Sequence, residues 1–410
     1  MLSVYFAMLK SAASYVARGR QLPAWDMRLQ AYCSGLRHYT RILFPVASDE
    51  NIDTMDFDKI HDWLQTHQMP TTELPPEIGN LRELSIRVSD IDIDCNGIRG
   101  IGLAEKPLLS LINSDNSGSG SSRVLEYELI APWGVYEKFG LDPLITATTD
   151  NIALEPRPLS SDERVILFFH GGSYVAGSPI AYREPLGHLL HHVGLRAFVI
   201  DYRLAPRYPF PAQLHDALIA FNFLCKQGGF RPQSIVLLGD SAGGHLCLSL
   251  FLLLRHISKE GGGGDWHKVA GMILLSPMPH LTICGESLTS NAMHDYLISI
   301  PIESPTMPLR LFYRPGVKCT SEYLQELREP ILSPLHGSLA DFPPTMIQCG
   351  AAEILLDDIR EFYDRLKHDN PETKVVFEVY PDMVHMFHRF LFRPESKQAF
   401  EAVDKFLQSI

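Results

Sequence analysis

"VLLGDSAGGHL", residues 236–246, carries one apolar stretch into a glycine–serine cluster and directly on into a second apolar stretch. Upstream, "SIVLL" has the character of a buried strand; downstream, "AGGHLCLSLFLLL" has the length and composition of a helix. Gly239-Asp240-Ser241-Ala242-Gly243 is therefore a strand-to-helix corner of the form G-x-S-x-G. Glycines at 239 and 243 let neighbouring backbone approach, so that Ser241 Oγ projects from the carboxyl end of the strand. The helix behind it presents backbone N–H groups and a positive dipole end. Alone the pattern is weak. With glycine at about 7% of residues, it arises by chance in roughly one chain in ten of this size, wherever a corner needs small side chains.

The surrounding rhythm strengthens the reading. "RVILFF", "AFVIDY", "SIVLLG", "GMILLS", "TMIQC" and "KVVFEVY" are short Val/Ile/Leu-rich runs separated by longer helical stretches. Such runs predict a parallel sheet covered on both faces. Before them, the chain is helical in pattern to about residue 68, with Tyr32, Leu36 and Tyr39, then Ile60, Trp63 and Leu64, at helical spacing. "SIRVSDIDIDCNGIRGIGLAE" (85–105) alternates like an antiparallel hairpin turning at Asn96-Gly97, and "LEYELIAP" resumes a strand. "NSDNSGSGSSR" (113–123) reads as a polar loop open to proteolysis, and "GGGG" (261–264) as a surface linker. About sixty residues with little strand character separate "GMILLSP" from "FPPTMIQCG", a length typical of a lid or binding excursion.

Bulk properties exclude several classes. The 410 residues are 45% hydrophobic and 20% charged, an ordinary globular balance. A net charge of −12 with no Lys/Arg stripe argues against a nucleic-acid surface. The seven cysteines form no CxxC pair and read as reduced core thiols, neither a disulfide frame nor a zinc site. "HLLHH", with His188, His191 and His192, lacks a carboxylate or cysteine to complete a metal set. The apolar "LSVYFAML" at the start is broken by Lys10 and has no basic residue before it. It fits neither a secretory signal nor a span of about 20 apolar residues. A docking helix of the protein itself is expected, with peripheral membrane attachment through the N-terminus as the alternative.

A second cluster gives the serine a chemical context. "FFHGGSYVAGS" (168–178) leaves a buried strand with His170-Gly171-Gly172-Ser173 at its end. Acyl hydrolysis creates a tetrahedral oxyanion, and a glycine-rich loop lets backbone N–H groups reach it without side chains in the way. A nucleophilic serine needs a base, and the base an orienting acid, in chain order acid then histidine. "AAEILLDD" follows the strand "TMIQCG", and "PDMVHMFH" follows "KVVFEVY", each at a strand's carboxyl end. His385 is the expected base, and His388 a helix-face residue. Glu353, nearest its strand end, is favoured as acid over Asp357 and Asp358, which suit the first turn of the next helix. Tyr174, Phe210 and Phe387 adjoin these segments and divide between pocket and core, while Tyr202 and Arg203 read as structural, Arg203 paired to a carboxylate.

With these residues in hand, the chain resembles the hormone-sensitive-lipase family of α/β-hydrolases, which includes arylacetamide deacetylase-like carboxylesterases and many fungal esterases. The resemblance runs from about residue 165 to 387. Its H-G-G-G block matches His170 to Ser173, its D-Y-R-L-A-P-E-x-P-F-P-A block matches "DYRLAPRYPFPA" (201–212), and its G-D-S-A-G-G elbow matches residues 239–244. "SLTSNAMHDYL", "ILSPLHGSLADFPPTMIQCGAAEILLDD" and "MVHMF" follow in the family's order.

The resemblance implies an α/β-hydrolase fold: a mostly parallel sheet of about eight strands, helices on both faces, and a mainly helical cap. It implies a cap over residues 1–80, a catalytic domain over 81–410 and a cap or lid excursion at about 278–340. It further implies a serine esterase without metal or organic cofactor, with Ser241 as nucleophile, Glu353 as acid and His385 as base. The oxyanion loop is Gly171, Gly172 and Ser173 together with Ala242; Gly172, Ser173 and Ala242 donate and Gly171 shapes the loop. Two departures stand out: Ser173 replaces the third glycine, and Arg207 replaces a glutamate.

The expected reaction is a two-step acyl transfer through an acyl-enzyme, on a short- or medium-chain ester of a bulky apolar alcohol. Activity is expected to rise through the histidine pKa. Alternatives are an acyltransferase or ring-closing tailoring enzyme with the same triad, a non-catalytic receptor on this scaffold, disfavoured by the presence of His385, and a serine peptidase, disfavoured by the H-G-G block. The partner is a small-molecule ester. The compartment expected is the cytoplasm, with association to the endoplasmic reticulum membrane as the alternative.

Overall fold

Each of the six apolar runs becomes a strand of one sheet, in a computed structural model that describes residues 2–45, 47, 52, 54–66, 80–91, 93, 95–116, 123–139 and 156–410. These strands are β3 (Val165–Phe169), β4 (Arg196–Ile200), β5 (Ile235–Asp240), β6 (Gly271–Leu275), β7 (Thr345–Gly350) and β8 (Val375–Tyr380). With β1 (Asn80–Arg87) and β2 (Val124–Ala131) they form an eight-stranded sheet in the order β1-β2-β4-β3-β5-β6-β7-β8. β2 runs antiparallel to both β1 and β4, and every other pairing is parallel. This is the α/β-hydrolase arrangement expected.

Strands β3 to β7 are buried along their whole length because helices cover both faces. On one face, α6 (Pro179–Val193) and α13 (Pro394–Gln408) bring Leu186, Leu189, Leu190, Phe400 and Phe406 against Ile166, Val199, Val236 and Ile273. On the other, α7 (Ala212–Lys226), α8 (Ala242–Lys259) and α12 (Leu356–Asp369) set Leu218, Phe251 and Phe362 against Leu167, Leu237 and Leu274. Each fully buried aliphatic side chain of this kind contributes about 1.5–3 kcal/mol, so the layers hold the strand ends in place.

The hairpin expected at Asn96-Gly97 is not formed. β1 ends at Arg87, residues 95–98 make a 3₁₀ turn, and β1 pairs instead with β2, beyond α4 (Glu105–Asn116). Ile91, Ile93 and Ile98 are buried, so the alternation marked burial and not a local strand partner. The polar stretch 113–123 is also split: residues 113–116 finish α4, and 117–122 lie outside the described residues. Arg123, at its end, pairs with Asp115 and Asp216 at 2.9 and 2.8 Å. A short helix, α5 (Trp133–Phe139), follows β2.

At the N-terminus lie α1 (Leu2–Arg18), α2 (Met27–Leu43) and α3 (Phe57–Thr66). Asp26 caps α2, its Oδ1 accepting from Leu29 N at 2.7 Å, as helix starts favour. The entry to α2 is tied to the loop after β8: Trp25 Nε1 donates to Asp382 O (2.7 Å) and Ala24 N to Asp382 Oδ2 (2.8 Å). Arg207, the reversed charge in the "DYRLAPRYPFPA" block, pairs with Asp58 and Asp62 of α3 at 3.1 and 2.8 Å. The segment between β6 and β7 carries only short helices, α9 (Ser287–Ser290), α10 (Pro308–Tyr313) and α11 (Ser321–Glu326). No helix among the described residues is long and apolar enough to cross a membrane.

Candidate active site

The corner after β5 shows why its residues are small. Ser241 adopts φ 54°, ψ −118°, between the last strand residue and the first residue of α8. A Cβ on Gly243 would sit 1.9 Å from Phe169 O, and one on Gly239 would sit 2.4 Å from the Gly243 carbonyl carbon. A side chain at 243 would push the elbow away from the end of β3, and one at 239 would push β5 off the first turn of α8. The serine is held from behind by its own N–H, which donates to Leu275 O at 2.9 Å.

Three side chains from three strand ends meet there. His385 Nε2 lies 2.9 Å from Ser241 Oγ, and His385 Nδ1 lies 3.1 Å from Glu353 Oε2. Ser241 is 8% exposed, His385 1% and Glu353 not at all. Burial alone would push the His385 imidazole down. The Glu353 bond and charge, reinforced by Asp295 and Asp240, outweigh that and hold it above its ordinary 6.5. The arrangement can take a proton from the serine oxygen onto Nε2 while a carboxylate supports the imidazolium.

Asp357 and Asp358 open α12 and point elsewhere: Asp357 Oδ2 accepts from Ser287 N (2.7 Å) and Asp358 Oδ1 from Gly285 N (3.1 Å). His388 sits in a buried 3₁₀ turn, its Nε2 3.2 Å from Gln348 Oε1, with burial and the neighbouring His385 pushing its pKa down to about 3.

The loop after β3 faces the serine. Gly171 N donates to Asp240 Oδ1 (2.7 Å) and to Tyr182 Oη (3.0 Å), and Tyr182 Oη donates to Asp240 Oδ2 (2.9 Å). Its amide is thereby engaged and pins the loop to the elbow. Gly172 takes φ 120°, and a Cβ there would lie 2.1 Å from Ala176 O. Ser173 stands at φ 53°, a left-handed conformation that glycine adopts more easily. Gly172, Ser173 and Ser241 share one cavity of about 150 Å³ with His385, Tyr296 and Leu297, lined also by Leu36, Tyr39 and Leu43 of α2, Phe44 just after it and Leu64 of α3.

Tyr174 and Phe387 prove to be core, and Phe210 packs half-buried against it. Tyr174 stacks on Phe312 at 3.9 Å, Phe210 packs edge-on against Phe312, and Phe387 is fully buried beside Tyr380. Tyr202 stacks on His170, and Arg203 pairs with Asp216 at 2.9 Å. The histidines of "HLLHH" lie in the second half of α6.

Two groups that sequence reasoning passed over matter to this geometry. Asp240 precedes the serine and anchors the Gly171 loop; burial pushes its carboxyl up to about 6. Asp295, fully buried, accepts from Ile354 N (2.8 Å) and from His385 N (3.4 Å), while its carbonyl accepts from Arg37 Nε of α2 (2.8 Å). It joins the loops that carry Glu353 and His385 to the helix above the cavity. Asp240 stands inside the G-x-S-x-G corner and Asp295 inside "SLTSNAMHDYL", so both were in view, but neither offers a local sign of its partner.

A family profile described as the alpha/beta hydrolase fold matches residues 166–389. The chain is 32% identical over 279 residues to an acetyl-hydrolase of Streptomyces hygroscopicus, covering 67% of this chain and 85% of the relative. It is 32% identical over 260 residues to an esterase of Acinetobacter venetianus, covering 62% and 78%. A crystal structure of an esterase from the bacterial hormone-sensitive lipase family superposes with a TM-score of 0.62 at 26% identity, over 94% of this chain and 99% of that one. The chain belongs to the hormone-sensitive-lipase family of α/β-hydrolases.

Proposed function

We propose that this serine hydrolase cleaves carboxylic esters through an acyl-enzyme on Ser241, with His385 as general base and Glu353 as the acid that orients it. The observation that carries this is the continuous hydrogen-bonded line Glu353–His385–Ser241 at 3.1 and 2.9 Å, buried at the floor of a cavity. His385 takes the hydroxyl proton as Ser241 attacks the ester carbonyl. The N–H groups of Gly172, Ser173 and Ala242 receive the developing oxyanion, and Gly171 holds the loop in register. The alcohol leaves with the proton from His385, and water activated by the same ring releases the acid.

Residues 1–80 and the excursion at 278–340 act as the cap over the 81–410 catalytic domain. In support, α2 and α3 contribute one wall of the cavity, and Tyr296 and Leu297 another. The substrate is a short- or medium-chain acyl ester of a bulky apolar alcohol. A cavity of about 150 Å³ accommodates a group of roughly benzene size. Leu43, Phe44 and Leu64 also line a second, apolar cleft of about 480 Å³ with Ile60, Trp63 and Leu311, which suits the bulkier half.

Peripheral membrane contact is favoured by α1. Tyr5, Phe6, Leu9 and Val16 are 58–77% exposed, and the only charges on the helix are Lys10 and Arg18. Flotation with anionic vesicles tests it: wild type floats with them and Phe6→Ser/Leu9→Ser stays behind, whereas equal recovery of both contradicts it.

The catalytic reading is tested with p-nitrophenyl esters of increasing acyl length, with products resolved in the presence and absence of a second alcohol. Free acid as the main product, with kcat/KM falling at long acyl chains, is the expected result. Acyl transfer to the alcohol in preference to water would replace hydrolysis with the transferase reading.

A further inference from the structure

Away from Ser241, on the far side of the acid loop, a second set of reactive side chains converges without a role in ester cleavage. His280 follows β6, Cys284 lies four residues on, and Asp358 is in the first turn of α12. Among the described residues, one ligand atom of each lies within 4.8 Å of the others. His280 and Asp358 are 1% and 2% exposed, while Cys284 is open to solvent.

His280 Nε2 lies 3.1 Å from Asp358 Oδ1, yet it makes no hydrogen bond, and Asp358 Oδ2 is likewise buried without a partner. Nε2 and Oδ1, buried and that close without hydrogen-bond geometry, are spaced like neighbouring ligands of one ion, and Oδ2 of the same carboxylate is left without a partner. Ligands about 2.0–2.1 Å from a tetrahedral ion stand roughly 3.3 Å apart. Neighbouring groups hold both side chains in place. His280 Nδ1 is 3.0 Å from Thr282 Oγ1, which fixes the ring and leaves Nε2 facing the carboxylate, and Asp358 Oδ1 accepts from Gly285 N at 3.1 Å.

We propose that His280 Nε2, the Asp358 carboxylate and Cys284 Sγ bind one divalent ion of the borderline-soft class to which zinc belongs. A nitrogen, an oxygen and a thiolate suit such an ion and do not suit magnesium or calcium. Cys284 supplies the entry from solvent and loses its proton on binding, and water or His336, whose ring is 5.4 Å from that of His280, completes the coordination. The linear pattern hides the site because its ligands come from residues 280, 284 and 358. The ion would join the base of the excursion to the start of α12, five residues beyond Glu353, and so brace the acid loop without touching substrate.

The site is tested on metal-stripped full-length protein titrated with Co²⁺ and, separately, Zn²⁺. The expected result is about one equivalent of Co²⁺ bound with tetrahedral ligand-field bands and a near-ultraviolet sulfur-to-cobalt band. Cys284→Ser abolishes the sulfur band, His280→Gln lowers affinity at least about 100-fold, and Cys225→Ser changes neither. Zinc raises the melting temperature of wild type and not that of the variants. Absence of stoichiometric binding, or binding indifferent to Cys284→Ser and His280→Gln, overturns the proposal and leaves a His280–Asp358 ion pair. None of these readouts depends on esterase activity, so the outcome is separate from the fate of the Ser241 reading.

Discussion

Two buried carboxylates reach residue 385 from different regions, and they act on different parts of it. Glu353, in the loop after β7, bonds the imidazole ring. Asp295, in the excursion after β6, bonds the backbone N–H of His385 and of Ile354. The first governs the chemistry of the ring; the second governs where the loops carrying that chemistry stand. Burial pushes Asp295 up to about 6, with Glu353 adding to the rise and His385 opposing it, so its charge is more easily lost than that of an exposed aspartate. A carboxylate's role is thus set by what its oxygens face, not by its distance from the reacting centre.

The largest effect separates both from the nucleophile. Ser241→Ala is expected to lower turnover by about a million-fold with an unchanged melting temperature, read by ester hydrolysis and thermal unfolding. Next comes the contrast between acids. Glu353→Gln is expected to cost about ten-thousand-fold in kcat, while Asp357→Asn, whose side chain meets Ser287 N and not the imidazole, stays within about ten-fold. If Asp357→Asn were inactive and Glu353→Gln active, the acid would be misassigned.

Asp295→Asn is expected to fall between them, at roughly 10- to 100-fold in kcat, because the loops shift while the ring partner remains. The pH profile distinguishes it from a merely structural loss. With His385 as the proposed base, catalysis needs its neutral ring, so activity is expected to rise with pH through a pKa held above 6.5. Removing the Asp295 charge removes one of the groups that favour imidazolium, so the inflection moves to lower pH, and Glu353→Gln moves it further. An unmoved inflection in Asp295→Asn would make that residue a packing element only. The smallest effect is expected at Arg207→Gln. Its pairs with Asp58 and Asp62 are solvent-exposed, and melting and activity should match wild type.

The part of the molecule built on the sheet could be read from sequence because its signals are local. Val/Ile/Leu runs such as "RVILFF" mark strands buried on both faces, and the glycines around Ser241 mark a corner where backbones nearly touch. The misread hairpin lay where the deciding contact was remote. Residues 85–98 alternate, but β1 finds β2 across α4, and the 3₁₀ turn at 95–98 settles against α8, where a Cβ on Gly97 would meet Ile257 at 2.9 Å. Tyr174 and Phe387 were ambiguous for a related reason: nearness in sequence to a catalytic loop does not say which face of the loop a ring takes, and both turn inward. Asp295 was invisible because its partners lie 59 and 90 residues away and are backbone amides, which carry no residue-specific signature.

Ester cleavage as proposed requires that Ser241 Oγ be the atom that bonds to the acyl group. Labelling with an active-site-directed phosphonate, followed by peptide mass spectrometry, reads this directly. One adduct on the peptide that contains Ser241, formed in step with loss of hydrolysis and absent from His385→Ala, is the predicted result. Hydrolysis that survives with Ser241 unlabelled, or an adduct on another residue that abolishes activity, would contradict it.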